Sequence, residues 1–218
     1  RVVASMHKAI SVSYLCVFTE ILLATTALAR PFLLEAALIF LKRNKMASQQ
    51  QLSKTPLNKR DSWQTPGWLY SWADKRYNFD IDLAADSANK KCQNYIDKEA
   101  NSLEISWNQR GASGWCNPPY SRTGDWLSKA WQEAQKGMKI VMLVPTPNGE
   151  NHYRDYVFGK ASEVIFINGR INFETPADGK PKAVKGNTRG SCFIVYNRKY
   201  PEHTSLSTVD RDHIRGSL

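Results

Sequence analysis

Paired cysteines are absent from this sequence. Its four, Cys16, Cys92, Cys116 and Cys192, lie far apart, with no Cys-x-x-Cys spacing and no neighbouring histidine. That excludes a zinc ribbon and a disulfide scaffold; small buried thiols in a reduced, cytoplasmic setting fit best. The histidines gather nowhere: His152, His203 and His213 are scattered, and neither a Ser-His-Asp signature nor a paired-carboxylate one stands out. Hydrolysis and metal catalysis therefore have no footing, and no metal is expected. No internal repeat occurs. The apolar stretch from Ala9 to Leu41 is a poor membrane span, because Glu20, Arg30 and Glu35 interrupt it and Pro31 would kink a helix.

What is present is a packed, basic chain. Its 218 residues suffice for one domain of ordinary size and not for two. A hydrophobic content of 42% with 11% aromatics is far from that of a disordered chain. There are 30 Lys+Arg against 20 Asp+Glu; residues 1–45 hold six basic and two acidic side chains, and 46–218 hold 24 and 18. Both parts are basic, which favours anionic partners such as nucleic acid or a membrane surface without choosing between them.

Residues 1–45 imitate a signal peptide, with His7 and Lys8 before an apolar run and Ala27-Leu28-Ala29 as a small-residue site. Against that, the chain begins at Arg1, and Met46 opens the polar stretch Ala47-Ser48-Gln49-Gln50-Gln51. Residues 1–45 are therefore read as an apolar upstream extension outside the functional domain. Residues 46–62 lack a hydrophobic period and read as a flexible polar leader, 63–200 as the folded domain and 201–218 as a polar tail.

From Trp63 onward, helical and strand patterns alternate. Thr65-Pro66 has the form of an N-cap and first-turn proline, opening a short helix through Trp68, Leu69 and Trp72. Phe79 to Leu83 alternates as a strand does, Ala88 to Tyr95 reads as a helix, and a short strand ends at Trp115-Cys116. Asp125 to Gln135 places Trp126, Leu127, Ala130, Trp131 and Ala134 on one helical face, with Gly137 as a stop. Lys139 to Val144 is an apolar run ending at Pro145, the form of a buried parallel strand. A helix over Glu150 to Phe158 and strands over Glu163 to Ile167 and Ser191 to Tyr196 follow. This alternation predicts an α/β fold, a mostly parallel sheet flanked by helices, with ligands at the carboxyl ends of the strands.

The residues with the clearest chemistry are Asn117-Pro118-Pro119-Tyr120, just after a predicted strand. Two consecutive prolines fix φ and supply no backbone donors, so the turn is stiff and rich in acceptors. An amide oxygen from Asn117 beside the Pro118 carbonyl is suited to take both hydrogens of a planar exocyclic amine, while Tyr120 offers a ring face for a base. Accepting both N–H bonds favours a pyramidal nitrogen whose lone pair attacks an electrophilic methyl group in line, with catalysis carried by positioning and electrostatics. In a duplex that nitrogen is out of reach, so the base has to be flipped out.

Taken with Trp63-x-Thr65-Pro66, Phe79-Asp80-Ile81-Asp82-x-Ala84-Ala85, Trp115-Cys116-Asn117-Pro118-Pro119-Tyr120-Ser121, Val144-Pro145 and Gly169-Arg170-Ile171-x-Phe173, the chain resembles the phage and prophage Dam-type DNA N6-adenine methyltransferases. The features run in the same order over nearly all of residues 63–196. The resemblance implies a Rossmann-like, S-adenosylmethionine-dependent methyltransferase fold, double-stranded DNA as partner, and Asn117, Pro118, Pro119 and Tyr120 as the catalytic motif. It also implies a phage or prophage setting, with self-protection, restriction-modification and regulation all open as roles. Related methyltransferases usually carry a glycine-rich loop after the first strand; none precedes Asn117 here. Asp82, and after it Asp80, are the expected acceptors for the ribose diol of the cofactor, and Thr65-Pro66 resembles the segment that lies against its methionine end.

DNA binding calls for basic groups aimed at phosphates. Lys180, Lys182, Lys185 and Arg189 lie in a glycine-bearing stretch without acidic residues and are the expected backbone contacts, joined by Arg122 and Arg170. Two alternatives stay open: a methyltransferase acting on RNA bases or protein glutamine, and a non-catalytic DNA-binding domain of the same shape.

Overall fold

The computed structural model describes residues 61–175, 182–184, 187–197 and 203–217. The expected extension 1–45, most of the leader 46–62, and Lys180 and Lys185 lie outside these residues. The elements in chain order are α1 (Gly67–Tyr77), β1 (Ile81–Asp82), β2 (Asn94–Tyr95), β3 (Ser113–Cys116), a 3-10 turn (Tyr120–Arg122) running into α2 (Thr123–Gln135), and β4 (Lys139–Pro145). They continue with α3 (Asn151–Tyr156), β5 (Glu163–Asn168), β6 (Glu174–Thr175), β7 (Lys182–Ala183), β8 (Ser191–Tyr196), β9 (Ser205–Asp210) and α4 (Arg211–Gly216).

Seven strands form one sheet in the order β2-β1-β3-β4-β8-β5-β9, and β6-β7 form a separate hairpin. Only β8 runs against its neighbours; every other pairing in the large sheet is parallel. The mostly parallel α/β sheet of the sequence reading is what the chain forms.

The centre of the sheet follows from β4 and β8. Both are apolar at nearly every position and are buried along their length. Because strand side chains alternate, Ile140, Met142, Val144, Cys192, Ile194 and Tyr196 go to one face, where they meet Trp126, Leu127 and Ala130 of α2 and Tyr153 of α3. Val141, Leu143, Phe193 and Val195 go to the other, against Leu69, Ala73 and Tyr77 of α1 and Ile214 of α4. A strand buried on both faces needs no polar alternation, which is why these runs read cleanly in the sequence. Gly114 in β3 lets the strand pass beside its neighbours: a Cβ there would lie 2.6 Å from Leu83 and 2.9 Å from Met138.

Four local expectations are corrected. The helix expected over Ala88 to Tyr95 is a series of turns ending in β2, because Asp82 and Asp86 side chains take up the N–H groups of Lys91, Ala88 and Asn89 that a helix would need. Thr65 does not cap α1. Pro66 is the N-cap position, no side chain caps it, and Thr65 is buried. The segment expected as a polar tail supplies β9, parallel to β5, and α4, whose Ile214 is fully buried. The last residue of the expected flexible leader but one, Asp61, is bonded to Ser121. Among the described residues no helix is long and apolar enough to cross a membrane, and no group of three His, Cys, Asp or Glu is placed to hold a metal.

From β1 the chain first moves outward to β2 and then returns to β3 on β1's other side. The strand order reverses there, so a switch-point crevice opens at the carboxyl ends of β1 and β3, the place where open α/β sheets receive ligands.

Candidate active site

Asn117 follows the last residue of β3 and stands at that crevice. After it the two prolines turn the chain into the 3-10 turn, where Arg122 N–H bonds the Pro119 carbonyl at 3.1 Å and Thr123 Oγ1 donates to the Tyr120 carbonyl at 3.0 Å. Both bonds tie the corner to the start of α2. No described residue donates to the Pro118 carbonyl.

The Asn117 amide is satisfied at one end only. Its Nδ2 donates to the Trp63 carbonyl at 3.4 Å, while its Oδ1 is buried and has no partner. The Tyr120 and Ser191 hydroxyls are likewise buried; they face each other short of good hydrogen-bond geometry, and neither has another partner among the described residues. Burial pushes the Tyr120 phenol far above its ordinary value, with the Cys192 thiol adding to the push and Ser191 only weakly opposing it. Tyr120 is therefore a neutral O–H donor at any working pH. Its ring stands edge-on to Phe173, with centroids 5.9 Å apart at 86°.

Asp61, Trp63, Asn117, Pro118, Tyr120 and Phe173 enclose a cavity of about 10 Å³, room for a single water molecule. Two of its walls, Trp63 and Phe173, stack at 5.9 Å and 23°. Past Tyr120 a larger cleft of about 270 Å³ opens, walled by Thr123, Gly124, Pro145, His152 and Tyr153 and rimmed by Arg122 and Arg189. The Tyr153 hydroxyl donates to the Pro145 carbonyl and so fixes that wall.

The two acidic candidates separate. Asp82 ends β1 at the crevice and is 3% exposed. Its Oδ1 accepts from Ala84 N–H at 3.3 Å and its Oδ2 from Lys91 N–H at 2.9 Å. It thus folds residues 83–91 into a loop at the position where a glycine-rich loop was missed. Burial raises its pKa from 3.8 to about 6, the bonds from Lys91 and Ala84 only partly offsetting that. Asp80 lies at the opposite, amino edge of the sheet, where it accepts from Ala112 N–H at 2.8 Å and Ser113 N–H at 3.1 Å. It braces the start of β3 and is not brought to the crevice. Thr65 and Pro66, both buried, follow directly on the Trp63 segment that covers Asn117.

Of the basic candidates, four are described, and all lie exposed toward the carboxyl edge. Arg122 pairs with Asp125 at 2.8 Å and Arg189 with Glu150 at 3.4 Å. Arg170 follows β5, close enough to Gly190 that a Cβ there would lie 3.4 Å from its guanidinium. Lys182 is on β7 of the small hairpin, opposite Thr175.

Sequence reasoning missed Asp61, the Trp63 carbonyl and Asp97. Asp97 follows β2, the neighbour of β1; its Oδ1 accepts from Ala100 N–H at 2.9 Å. Asp61 carried no local signal at all.

Comparison with known proteins points to one family. The family model for DNA N-6-adenine-methyltransferase (Dam) matches residues 52–217. A protein of Escherichia phage T1 named DNA N-6-adenine-methyltransferase is 31% identical over 159 residues, 66% of this chain and 65% of that protein. One of the same name from Haemophilus phage HP1 (strain HP1c1) is 31% identical over 152 residues, 68% of this chain and 86% of that protein. The chain thus spans 65% of the length of the first relative and 86% of the second. With its strand order, its Asn-Pro-Pro-Tyr corner and a match over most of its length, the chain belongs to the DNA N-6-adenine-methyltransferase (Dam) family.

Proposed function

We propose that this protein transfers a methyl group from S-adenosylmethionine to the N6 amine of an adenine flipped out of double-stranded DNA. The observation that carries the reading is the Asn117 side chain: a buried amide whose nitrogen is held and whose oxygen is left without a donor, at a switch point. A buried acceptor without a partner costs about 1–3 kcal/mol. An exocyclic amine supplies the missing donor. Asn117 Oδ1 and the Pro118 carbonyl take its two hydrogens, and Tyr120 and Phe173 flank the ring.

S-adenosylmethionine supplies an electrophilic methyl group on a cationic sulfur. What supports a cation at the crevice is Asp82, buried at the end of β1. Asp82 is a buried carboxylate whose ionisation is opposed by burial, so a positive charge nearby stabilises its charged form. In this reading Asp82 shapes the 83–91 loop, Asp97 takes the ribose diol, and Thr65-Pro66 line the methionine end. Arg122, Arg170, Lys182 and Arg189 meet DNA phosphates, with Lys180 and Lys185 from the same basic stretch. Exposed ion pairs such as Arg122–Asp125 are worth little, so exchanging a carboxylate for a phosphate costs little.

The test is methyl incorporation from labelled S-adenosylmethionine into duplex DNA, RNA and a glutamine peptide in parallel. Label in N6-methyladenine of the duplex alone is the expected result. Label in RNA or peptide alone moves the substrate, and no label anywhere from a folded sample that binds DNA leaves a binding domain.

A further inference from the structure

A primary amide has two ends that differ in chemistry and hardly at all in shape, so a half-turn about its last torsion exchanges an acceptor for a donor. For Asn117 that exchange is decisive, because only the oxygen end can receive the hydrogens of an amine. What selects the end is a single contact. The Trp63 carbonyl accepts from Asn117 Nδ2, and a carbonyl has no hydrogen to offer; reversing the amide would set oxygen against oxygen.

The Trp63 carbonyl is itself held from both sides. On one side Asp61 grips the catalytic corner twice, Oδ1 accepting from Ser121 N–H at 3.1 Å and Oδ2 from Ser121 Oγ–H at 2.5 Å. On the other, Gln64 and Glu174 exchange two backbone bonds, of 2.7 Å and 2.9 Å. Ser121 follows Tyr120 directly, so the strap is fastened to the same turn whose amide it orients.

We propose that Asp61 is a positioning residue: by clamping the 61–64 strap to Ser121 it sets the Trp63 carbonyl, which in turn fixes the Asn117 amide with its oxygen toward the base. This rests on the methyltransferase reading above.

The experiment compares parent, Asp61→Ala, Asp61→Asn and Ser121→Ala in steady-state methylation of duplex DNA, with DNA and cofactor KM measured separately and thermal melting as the check on folding. Asp61→Asn keeps both contacts, its Oδ1 accepting from Ser121 N–H and its Nδ2 donating to Ser121 Oγ. Asp61→Ala should lower kcat by about ten- to a hundredfold with both KM values within about threefold. Asp61→Asn should restore most of that loss, and Ser121→Ala, which keeps the N–H contact, should fall between. A kcat for Asp61→Ala within twofold of the parent overturns the clamp. So does a loss confined to KM, or one that Asp61→Asn fails to rescue. A parent protein that does not methylate DNA overturns the methyltransferase reading instead, so the two failures are told apart.

Discussion

The two edges of the sheet treat buried polar groups in opposite ways. At the amino edge, near the end of α2, the Glu133 side chain is fully buried and receives hydrogen bonds from Lys129, Lys136, Trp107 N–H and Asn108 N–H, at 2.7 to 3.3 Å. Burial works to raise its pKa, yet the two ammoniums and the Asn108 N–H outweigh it and hold the carboxyl below its ordinary value. At the carboxyl edge the balance tips the other way. Asp82 is pushed up to about 6, and the Asn117 oxygen and the Tyr120 and Ser191 hydroxyls are buried with no partner. Ser191 belongs to this edge because β8 runs backward and pairs Ser191 with Pro145 at the end of β4. The same chain that surrounds Glu133 with donors leaves three buried side-chain polar atoms at this edge without a partner. The fold had the means to satisfy buried groups, so those it leaves open mark where a ligand completes the structure.

The sharpest break of this contrast is to remove one group from each edge. Asn117→Ala should lower methyl transfer by about 10²–10³-fold, the scale of losing one pre-aimed group at a reacting centre, while leaving the melting temperature unchanged or slightly higher. The substitution relieves an acceptor that had no partner and gives up only the long 3.4 Å contact from Nδ2 to the Trp63 carbonyl, so the two changes offset. Methyl incorporation beside a thermal melt checks both halves, and normal turnover would be irreconcilable with the site. Glu133→Ala should do the reverse. It strands two ammoniums and two N–H groups and should cost about 3–5 kcal/mol of stability, read by urea unfolding, with the specific activity of the folded fraction unchanged.

A pH series sharpens the same comparison, because the two carboxylates give slopes of opposite sign. Asp82 has a folded pKa near 6, above its value of 3.8 when unfolded. Its contribution is therefore present below about pH 4 and is lost as pH rises through 6, a fall of about 3 kcal/mol at 1.36 kcal/mol per unit. Glu133 is depressed below 4.5; its contribution is present above that value and is lost as pH falls through the folded pKa. Unfolding free energies by tryptophan fluorescence should show both limbs. Asp82→Asn should flatten only the one between pH 4 and 6, and cofactor affinity in the parent should tighten over that window as the carboxylate ionises.

The legible parts of the chain were those with a local physical cause. β8 was readable to the residue, Ser191 to Tyr196, because a strand buried on both faces must be apolar throughout, and α2 was readable from its single apolar face. The corner at Asn117 was readable because two prolines dictate their own backbone. What escaped were edges and distant contacts. β9, with Ser205, Leu206 and Thr208 exposed, has almost no buried face to impose a pattern, and it lies at the sheet's rim. β2 is only two residues long, too short to impose an alternating pattern, and it follows turns shaped by Asp82 and Asp86, so the stretch Ala88 to Tyr95 read as a helix. Asp80 and Asp82 look equivalent in sequence, yet the one precedes β1 and the other closes it, which puts them at opposite edges. Asp61 meets its partner across 60 positions, and no local pattern encodes such a pairing.

The smallest expected effect tests how far the carboxyl edge extends as a DNA surface. Lys182 is exposed on β7 and carries no ion pair among the described residues, whereas Arg122 and Arg189 each spend part of their charge on a neighbouring carboxylate. If all three meet phosphates, Lys182→Ala should lower the salt dependence of DNA binding by about one unit of log K against log salt, the release of a single counterion. Arg122→Ala should lower it by less, since the freed Asp125 adds repulsion to weaker binding without a full counterion's change. Binding isotherms at four or five salt concentrations measure the slopes. The order matters more than the size: a slope that Lys182→Ala leaves untouched while Arg122→Ala flattens it would draw the DNA path across the mouth of the 270 Å³ cleft and away from the hairpin. The under-satisfied edge would then end at α2 and not extend to β7.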